Sequence, residues 1–430
     1  MSNQYRRNND FRKKKGGGGS KSHAVAANVE LAESQFEVAT VMLRAGKEEP
    51  VKRFHPWVFS GAIAKIFGSP KDGEVVEVVD MDGNYLATGH FHEGSIAVKV
   101  FAFERIESDA DFWLDKIQKA YNVRQVIALQ DTNCYRLIHG EGDGCPGLII
   151  DYYAGVAVFQ AHSIGMHLER EKISLAIQQV FGEELIAVYD KSAETLPPQY
   201  ASTMQNGYLF GTCEVPHAVK ENGHIFMINW QTGQKTGFFL DQRDNRSLLA
   251  KFSKGKKVLN SFCYSGGFSV YALKAGATLV HSVDVSQKAI DLVNQNVVAN
   301  FGNGSEAQTH EAYAEDVMKY LKANDQFYDL IVLDPPAYAK SMDARHRAVQ
   351  GYKRLNAEGF KRLGKGGIMF TFSCSQVVDR ELFYNTVVAA ALEAGRQVKV
   401  LHHLTQPADH PVNFFHPEGS YLKGLVLYVE

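Results

Sequence analysis

Two short stretches of this chain hold side chains that could make and break bonds together. One is Asp334-Pro335-Pro336; the other is Thr371-Phe-Ser-Cys-Ser-Gln376, with Cys374 near its centre. A thiolate is a strong nucleophile, and a carboxyl group can meet the polar edge of a flat ring. The pair suits one chemical problem. C5 of a cytosine attacks a methyl sulfonium too poorly to react unaided. A thiolate added at C6 makes C5 enamine-like, and an acid near N3 stabilises the adduct. Cys374 is then the nucleophile and Asp334 the group facing N3. Such a thiol should have a depressed pKa, although the sequence displays no cationic neighbour for it. The residues do not assign the base that removes the C5 proton.

A second set of residues suits a nucleoside cofactor. Asn260-Ser-Phe-Cys-Tyr-Ser-Gly-Gly-Phe268 contains a glycine turn in which Phe262, Tyr264 and Gly266 lie where the backbone can approach a bound molecule. Asp284 follows Gly266 by 18 residues, where a carboxylate can take both hydroxyls of a ribose. Asp316, in Ala314-Glu-Asp-Val317, falls where a third loop could accept from an adenine amine. With Asp334 closing the site, this order points to S-adenosylmethionine. A dinucleotide dehydrogenase shares the turn and the ribose acid. It also requires G-x-G-x-x-G for a pyrophosphate, which Tyr264-Ser-Gly-Gly-Phe-Ser269 does not supply.

These residues need elements to bring them together. From about residue 235 onward, short apolar strands alternate with helices. The strands are Val258-Leu-Asn-Ser-Phe262, Leu279-Val-His-Ser-Val283, Asp329-Leu-Ile-Val-Leu333 and Gly367-Ile-Met-Phe-Thr-Phe372. That pattern predicts an α/β fold, a Rossmann-like class I methyltransferase domain over 231–430 whose parallel-rich sheet is covered on both faces. In such a sheet ligands sit at the carboxyl ends of the strands, where the residues above fall. An α+β middle domain is expected over 109–230, with helices near 109–130 and 165–181 flanking a Gly-rich turn at 140–147. Clustered β-branched residues and the turn Met81-Asp-Gly-Asn84 predict a small β-barrel over 39–108.

Residues 1–38 are polar and should form a disordered tail. Its first 22 residues hold Arg6, Arg7, Arg12, Lys13, Lys14, Lys15 and Lys21 against Asp10, either a phosphate-attracting arm or a solvated tail. A hydrophobic content of 45% with 22% charged residues is that of an ordinary soluble protein. No apolar run approaches the ~20 residues that cross a bilayer, and no secretory h-region opens the chain, so a cytoplasmic location is expected. The five cysteines form no Cys-x-x-Cys pair, which argues against disulfides and metal sites alike.

With these motifs in hand, the chain resembles the bacterial 23S ribosomal RNA cytosine-5 methyltransferases with an N-terminal PUA domain, of the RlmI type. The resemblance spans about residues 40–430. It rests on Arg53-Phe-His-Pro-Trp-Val-Phe-Ser-Gly61, Gly140-Glu-Gly-Asp-Gly144, Pro146-Gly147, Gly233-Gln-Lys-Thr-Gly-Phe-Phe-Leu-Asp-Gln-Arg243, the 260–268 turn, Asp334-Pro-Pro336 and Ser373-Cys-Ser375. It implies that the 233–243 stretch lies against the cofactor, with Phe238, Asp241 and Arg243 as contacts. It also implies that the barrel binds RNA, with Arg53, His55 and Trp57 facing it; core packing is the alternative, for Trp57 above all. The wider group carries a second cysteine after the fourth-strand proline, where this chain has Ala337-Tyr338. Cys263 is a spare thiol, expected to pack.

Two other readings stay open: transfer to a base nitrogen, which needs no thiol, and a non-catalytic RNA-binding or ribosome-assembly factor. A base reaching Cys374 must leave its stack, so flipped or single-stranded RNA is expected. The sequence encodes neither the target cytosine, nor naked RNA against an assembled particle, nor the oligomeric state, a homodimer being one arrangement it allows.

Overall fold

The computed structural model describes residues 36–430, so the basic arm lies outside the described residues. Six strands build the N-terminal sheet in the order Trp57–Phe59, Ile96–Ala102, Tyr85–Phe91, Val75–Val79, Thr40–Leu43, Ile63–Phe67. Inward valines and leucines, among them Val41, Leu43, Val76, Val78, Val98 and Val100, fill its core. The expected hairpin turn is present. Asp80 Oδ1 accepts from the amides of Asp82 and Asn84, and Gly83 takes a φ of 82°. The first ordered packing precedes residue 39, because the Phe36 ring lies 4.7 Å from that of Phe67.

The middle of the chain opens with the helix Ala110–Ile127, capped by Asp109, which accepts from the Phe112 amide. It packs with a five-stranded sheet in the order Gly207–Gly211, Ala187–Asp190, Val156–Ala161, Leu148–Tyr153, Cys134–His139. The single helix expected over 165–181 is two, Ile164–Leu168 and Arg170–Phe181. They join at Glu169, whose carboxylate is drawn inward by the Trp113 indole N–H at 3.0 Å and by Lys172 at 2.8 Å.

The C-terminal sheet has seven strands, β1 (Lys257–Ser261), β2 (Leu279–Asp284), β3 (His310–Ala314), β4 (Tyr328–Leu333), β5 (Leu363–Ser373), β6 (Val398–Leu404) and β7 (Lys423–Val429). Their order is β3-β2-β1-β4-β5-β7-β6. The first five run parallel, and β7 runs antiparallel to both of its neighbours. The run Leu330–Leu333 is fully buried because helices cover both faces. Strand register sets where the loops emerge. Ser261 pairs with Val283 and Leu333, and Leu333 with Thr371, so the strands end level and their loops open on one rim. Among the described residues no helix is long and apolar enough to cross a membrane.

Candidate active site

The carboxyl rim carries the cofactor-turn residues, the acids and the cysteine singled out from the sequence. Phe262 follows β1, Asp284 ends β2, Asp316 lies just past β3, Asp334 follows β4 and Cys374 follows β5. The turn after β1 is built from left-handed residues: Phe262, Tyr264 and Gly266 have φ of 57°, 44° and 74°. At Gly266 a side chain would also strike Val293, 2.9 Å from the position of a Cβ. Asp284 fixes this turn, accepting from the Tyr264 amide at 3.1 Å and the Ser286 amide at 3.0 Å. The Tyr264 hydroxyl accepts from the Gln234 amide and donates to the Gly237 carbonyl, each at 3.1 Å, so the 233–243 stretch is laced to the turn. Asp316 is exposed and caps the helix Val317–Ala323, accepting from the Lys319 amide at 2.9 Å.

Phe238 and Arg243 correct the expectation made for them. The Phe238 ring is buried, 4.8 Å from Phe226 and beneath the Arg246 guanidinium at 4.7 Å. Arg243 is 1% exposed and donates to Asp409 Oδ2 at 2.7 Å and to the Cys134 carbonyl at 3.2 Å. The stretch alternates: Phe238 and Leu240 point into the core, whereas Phe239 and Asp241 are only half-buried. Phe239, which sequence reasoning passed over, meets the Tyr264 ring edge-on at 5.2 Å.

Asp241 faces the reacting end of the site. Its Oδ2 accepts from the Tyr421 hydroxyl at 2.6 Å, while its buried Oδ1 has no hydrogen-bond partner among the described residues. An orphaned carboxylate oxygen beside a glycine turn fits a bound group carrying donors, as S-adenosylmethionine does. Asp334 Oδ2 accepts from Gln242 Nε2 at 2.9 Å. Burial, reinforced by the charge of Asp241, pushes the Asp334 carboxyl up to about 7.

Cys374 is half-buried in the same crevice, one strand over. Its expected depressed pKa is wrong in sign. Burial, and then the charges of Asp334 and Asp241, push the thiol up to about 11. The opposing cation is Lys423, the first residue of β7, paired across the strands with Ser373. It is 4% exposed, and its Nζ donates to the Ser375 carbonyl at 2.8 Å. Burial in turn pushes the Lys423 ammonium down to about 8. Nothing in the sequence near Cys374 signals Lys423 or Tyr421, because antiparallel β7 delivers the first and the loop just before it delivers the second. Ser375 Oγ ties the cysteine loop to Tyr352 at 3.0 Å and to the Ala339 amide at 3.4 Å. Cys263 is buried, packed as expected.

The barrel residues divide. Arg53 has a side chain 79% exposed, with Glu49 a loose partner at 3.7 Å. Trp57 is a bridge between domains. Its indole N–H donates to Glu141 Oε1 at 2.9 Å, and its ring lies 4.2 Å from that of His416. His55 Nδ1 sits 3.2 Å from the Trp57 amide nitrogen and carbonyl oxygen. No metal was expected from the sequence; among the described residues, His55, His416 and Glu418 could offer ligand atoms within 4.8 Å of one another.

Residues 41–103 match the PUA-like domain family, and residues 135–415 match the S-adenosylmethionine-dependent methyltransferase family. The chain is 40% identical over 398 residues to the ribosomal RNA large subunit methyltransferase I of Aeromonas hydrophila, covering 90% of this chain and 99% of that protein. The protein of the same name from Shewanella amazonensis is 38% identical over 393 residues, covering 90% and 99%. Among solved structures, an S-adenosylmethionine-dependent methyltransferase from Streptococcus mutans superposes with a TM-score of 0.77 at 23% identity, covering 91% of this chain and 100% of that one. A methyltransferase solved in complex with SAH gives 0.78 at 23%, with the same coverage. Likeness at that identity shows the fold alone.

Proposed function

The chain belongs to the S-adenosylmethionine-dependent methyltransferase family, and we propose that it methylates C5 of a cytosine in large-subunit (23S) ribosomal RNA through a covalent Cys374–C6 adduct. Its cofactor is S-adenosylmethionine. The RNA substrate is supported by the names of relatives aligned over nearly their whole length and by the PUA-like domain. One observation carries the chemistry: Cys374 and Asp334 stand at adjacent strand ends on one rim of the sheet, near enough for the Asp334 charge to act on the thiol.

When bound, S-adenosylmethionine supplies an electrophilic methyl group, and Tyr264, Gly266, Asp284, Asp316 and Asp241 are the residues that would hold it. Cys374 gives its proton to solvent, and its thiolate sulfur adds to C6 of the ring, the C5–C6 electron pair shifting through C4 onto N3 as N3 takes up a proton. The Lys423 ammonium, held on the Ser375 carbonyl, opposes the two carboxylates that disfavour this thiolate. Asp334, its carboxyl pushed up by burial to about 7, can keep a proton near neutral pH and donate it to N3. Gln242 holds the same carboxyl in place. C5 takes the methyl group and then loses its proton. The electron pair of that C–H bond re-forms the C5–C6 double bond and expels the Cys374 sulfur, and N3 returns its proton to the Asp334 carboxylate.

Transfer of labelled methyl groups to RNA, followed by nucleoside mass spectrometry, tests this. The expected product is 5-methylcytidine with the wild-type chain and none with Cys374→Ala, which should still bind cofactor in calorimetry. Undiminished turnover by Cys374→Ala, or label on a ring nitrogen, would assign the enzyme to base-nitrogen methylation. No transfer and no heat of cofactor binding would leave a non-catalytic RNA binder.

A further inference from the structure

Four phenylalanine rings gather where the barrel meets the loop of residues 405–422. Phe414 is 91% exposed, and Phe54, Phe59 and Phe415 are 48%, 49% and 49% exposed. Two of them come from the segment 53–59 and two from the segment 413–416, far apart in sequence. Phe54 and Phe415 bring their centroids to 5.3 Å, and Phe414 lies 5.7 Å from Phe415. Beneath them is buried His416, 5.2 Å from His55 and 4.2 Å from Trp57. Phe54 has a φ of 63°, a left-handed conformation that a bulky residue keeps only where its surroundings compel it. The rings thus stand exposed beside buried His416.

Exposed apolar patches of this kind mark binding surfaces. We infer that this one is a stacking platform for unpaired bases of single-stranded RNA, holding the strand beside the catalytic crevice; it rests on the RNA-methyltransferase reading above. Three observations favour RNA as the occupant. The exposed groups are aromatic faces, on which any base can stack. Arg53, next to Phe54 in the chain, has a side chain 79% exposed, held only loosely by Glu49 at 3.7 Å, from which it can turn to a phosphate. And the loop that carries Phe414 and Phe415 runs into the active site, where Tyr421 holds Asp241 and Lys423 holds the Cys374 loop. From Phe415 to Tyr421 is six residues, at most roughly 20 Å of chain. Nucleotides stacked on the platform therefore have their neighbours at the mouth of the crevice.

The test is fluorescence anisotropy of the full-length protein with a labelled single-stranded oligocytidylate RNA, beside calorimetry with S-adenosylmethionine. Phe414→Ala, Phe415→Ala and Phe54→Ala should each weaken RNA binding by about 5- to 150-fold, the range measured for loss of one stacking ring. Cofactor affinity should not change, and Phe415→Trp should bind as wild type. Phe414 is so exposed that its loss does not threaten folding, which keeps one variant clean. If all three alanine variants bind the RNA like wild type while the wild type methylates RNA, the platform is refuted and the methyltransferase reading stands. The patch then belongs to a protein partner. If the wild type neither binds nor methylates RNA, both readings fall together.

Discussion

Two carboxylates and one ammonium act on the same sulfur, and their signs oppose. Cys374 feels Asp334 and Asp241 raise its pKa and Lys423 lower it, on top of burial. The consequence is a thiol more than ordinarily reluctant to ionise, so the thiolate is scarce at neutral pH and grows as pH rises towards about 11. Removing a negative neighbour must shift that titration down, and removing the ammonium must thin the thiolate at the lower pH where Lys423, pushed down to about 8, is still charged. In Asp334→Asn the pH midpoint for alkylation of Cys374 by iodoacetamide should fall by roughly one unit, and in Lys423→Met alkylation near pH 7, where the Lys423 ammonium still carries its charge, should slow. Peptide mass spectrometry at Cys374 reads both; an unchanged midpoint in Asp334→Asn, or alkylation near pH 7 no slower in Lys423→Met, would contradict the arrangement. At this scale the sequence was legible where chemistry is local. Asp334-Pro-Pro336 and Ser373-Cys-Ser375 fall at strand ends, and a strand end fixes where a side chain goes. Phe238 and Arg243 were misread because orientation within the 233–243 stretch depends on a residue-by-residue alternation. The partner that captures Arg243 is Asp409, far along the chain.

Between β6 and β7 the chain makes a long excursion, and its anchor is a charge. Asp409 is fully buried, accepts from Arg243 at 2.7 Å and from the Arg136 amide at 3.0 Å, and lends its carbonyl to Arg124 at 2.9 Å. Arg124 also forms a buried pair with Asp143, so the middle domain and the catalytic domain share one ionic junction. Gly142 allows the close approach, since a Cβ there would sit 1.9 Å from the Pro411 carbonyl oxygen. Breaking one partner of such a pair leaves an uncompensated buried charge. Asp409→Ala should therefore lose about 3–5 kcal/mol of stability in urea unfolding; a loss below about 1 kcal/mol would show the junction to be incidental. The apolar strands β1, β2, β4 and β5 were readable because a sheet covered on both faces demands unbroken hydrophobic runs. β3, β6 and β7 were not read. β3 and β6 are edge strands, half-exposed along their length, and β7 carries no motif to mark the direction in which it runs. That omission hid Lys423.

Taken whole, the molecule is a cofactor-binding sheet flanked by a middle domain, with a barrel leaning on both. The succession of these parts follows from shifts in pattern along the chain. Their mutual placement does not, because contacts such as Trp57 with Glu141 and Phe54 with Phe415 join residues with no local relation. That placement brings the loop of Phe414 and Phe415 down to β7, whose Lys423 holds the Cys374 loop. The central claim is the covalent bond between Cys374 and the pyrimidine. RNA carrying 5-fluorocytidine tests it directly, because fluorine replaces the proton that must leave C5 and the adduct cannot resolve. With S-adenosylmethionine present, the wild-type chain should form a protein–RNA species that survives denaturing electrophoresis, with the RNA attached at Cys374 by peptide mass spectrometry. Cys374→Ala should form none. Equal trapping by Cys374→Ala, or attachment at another residue, would contradict the account.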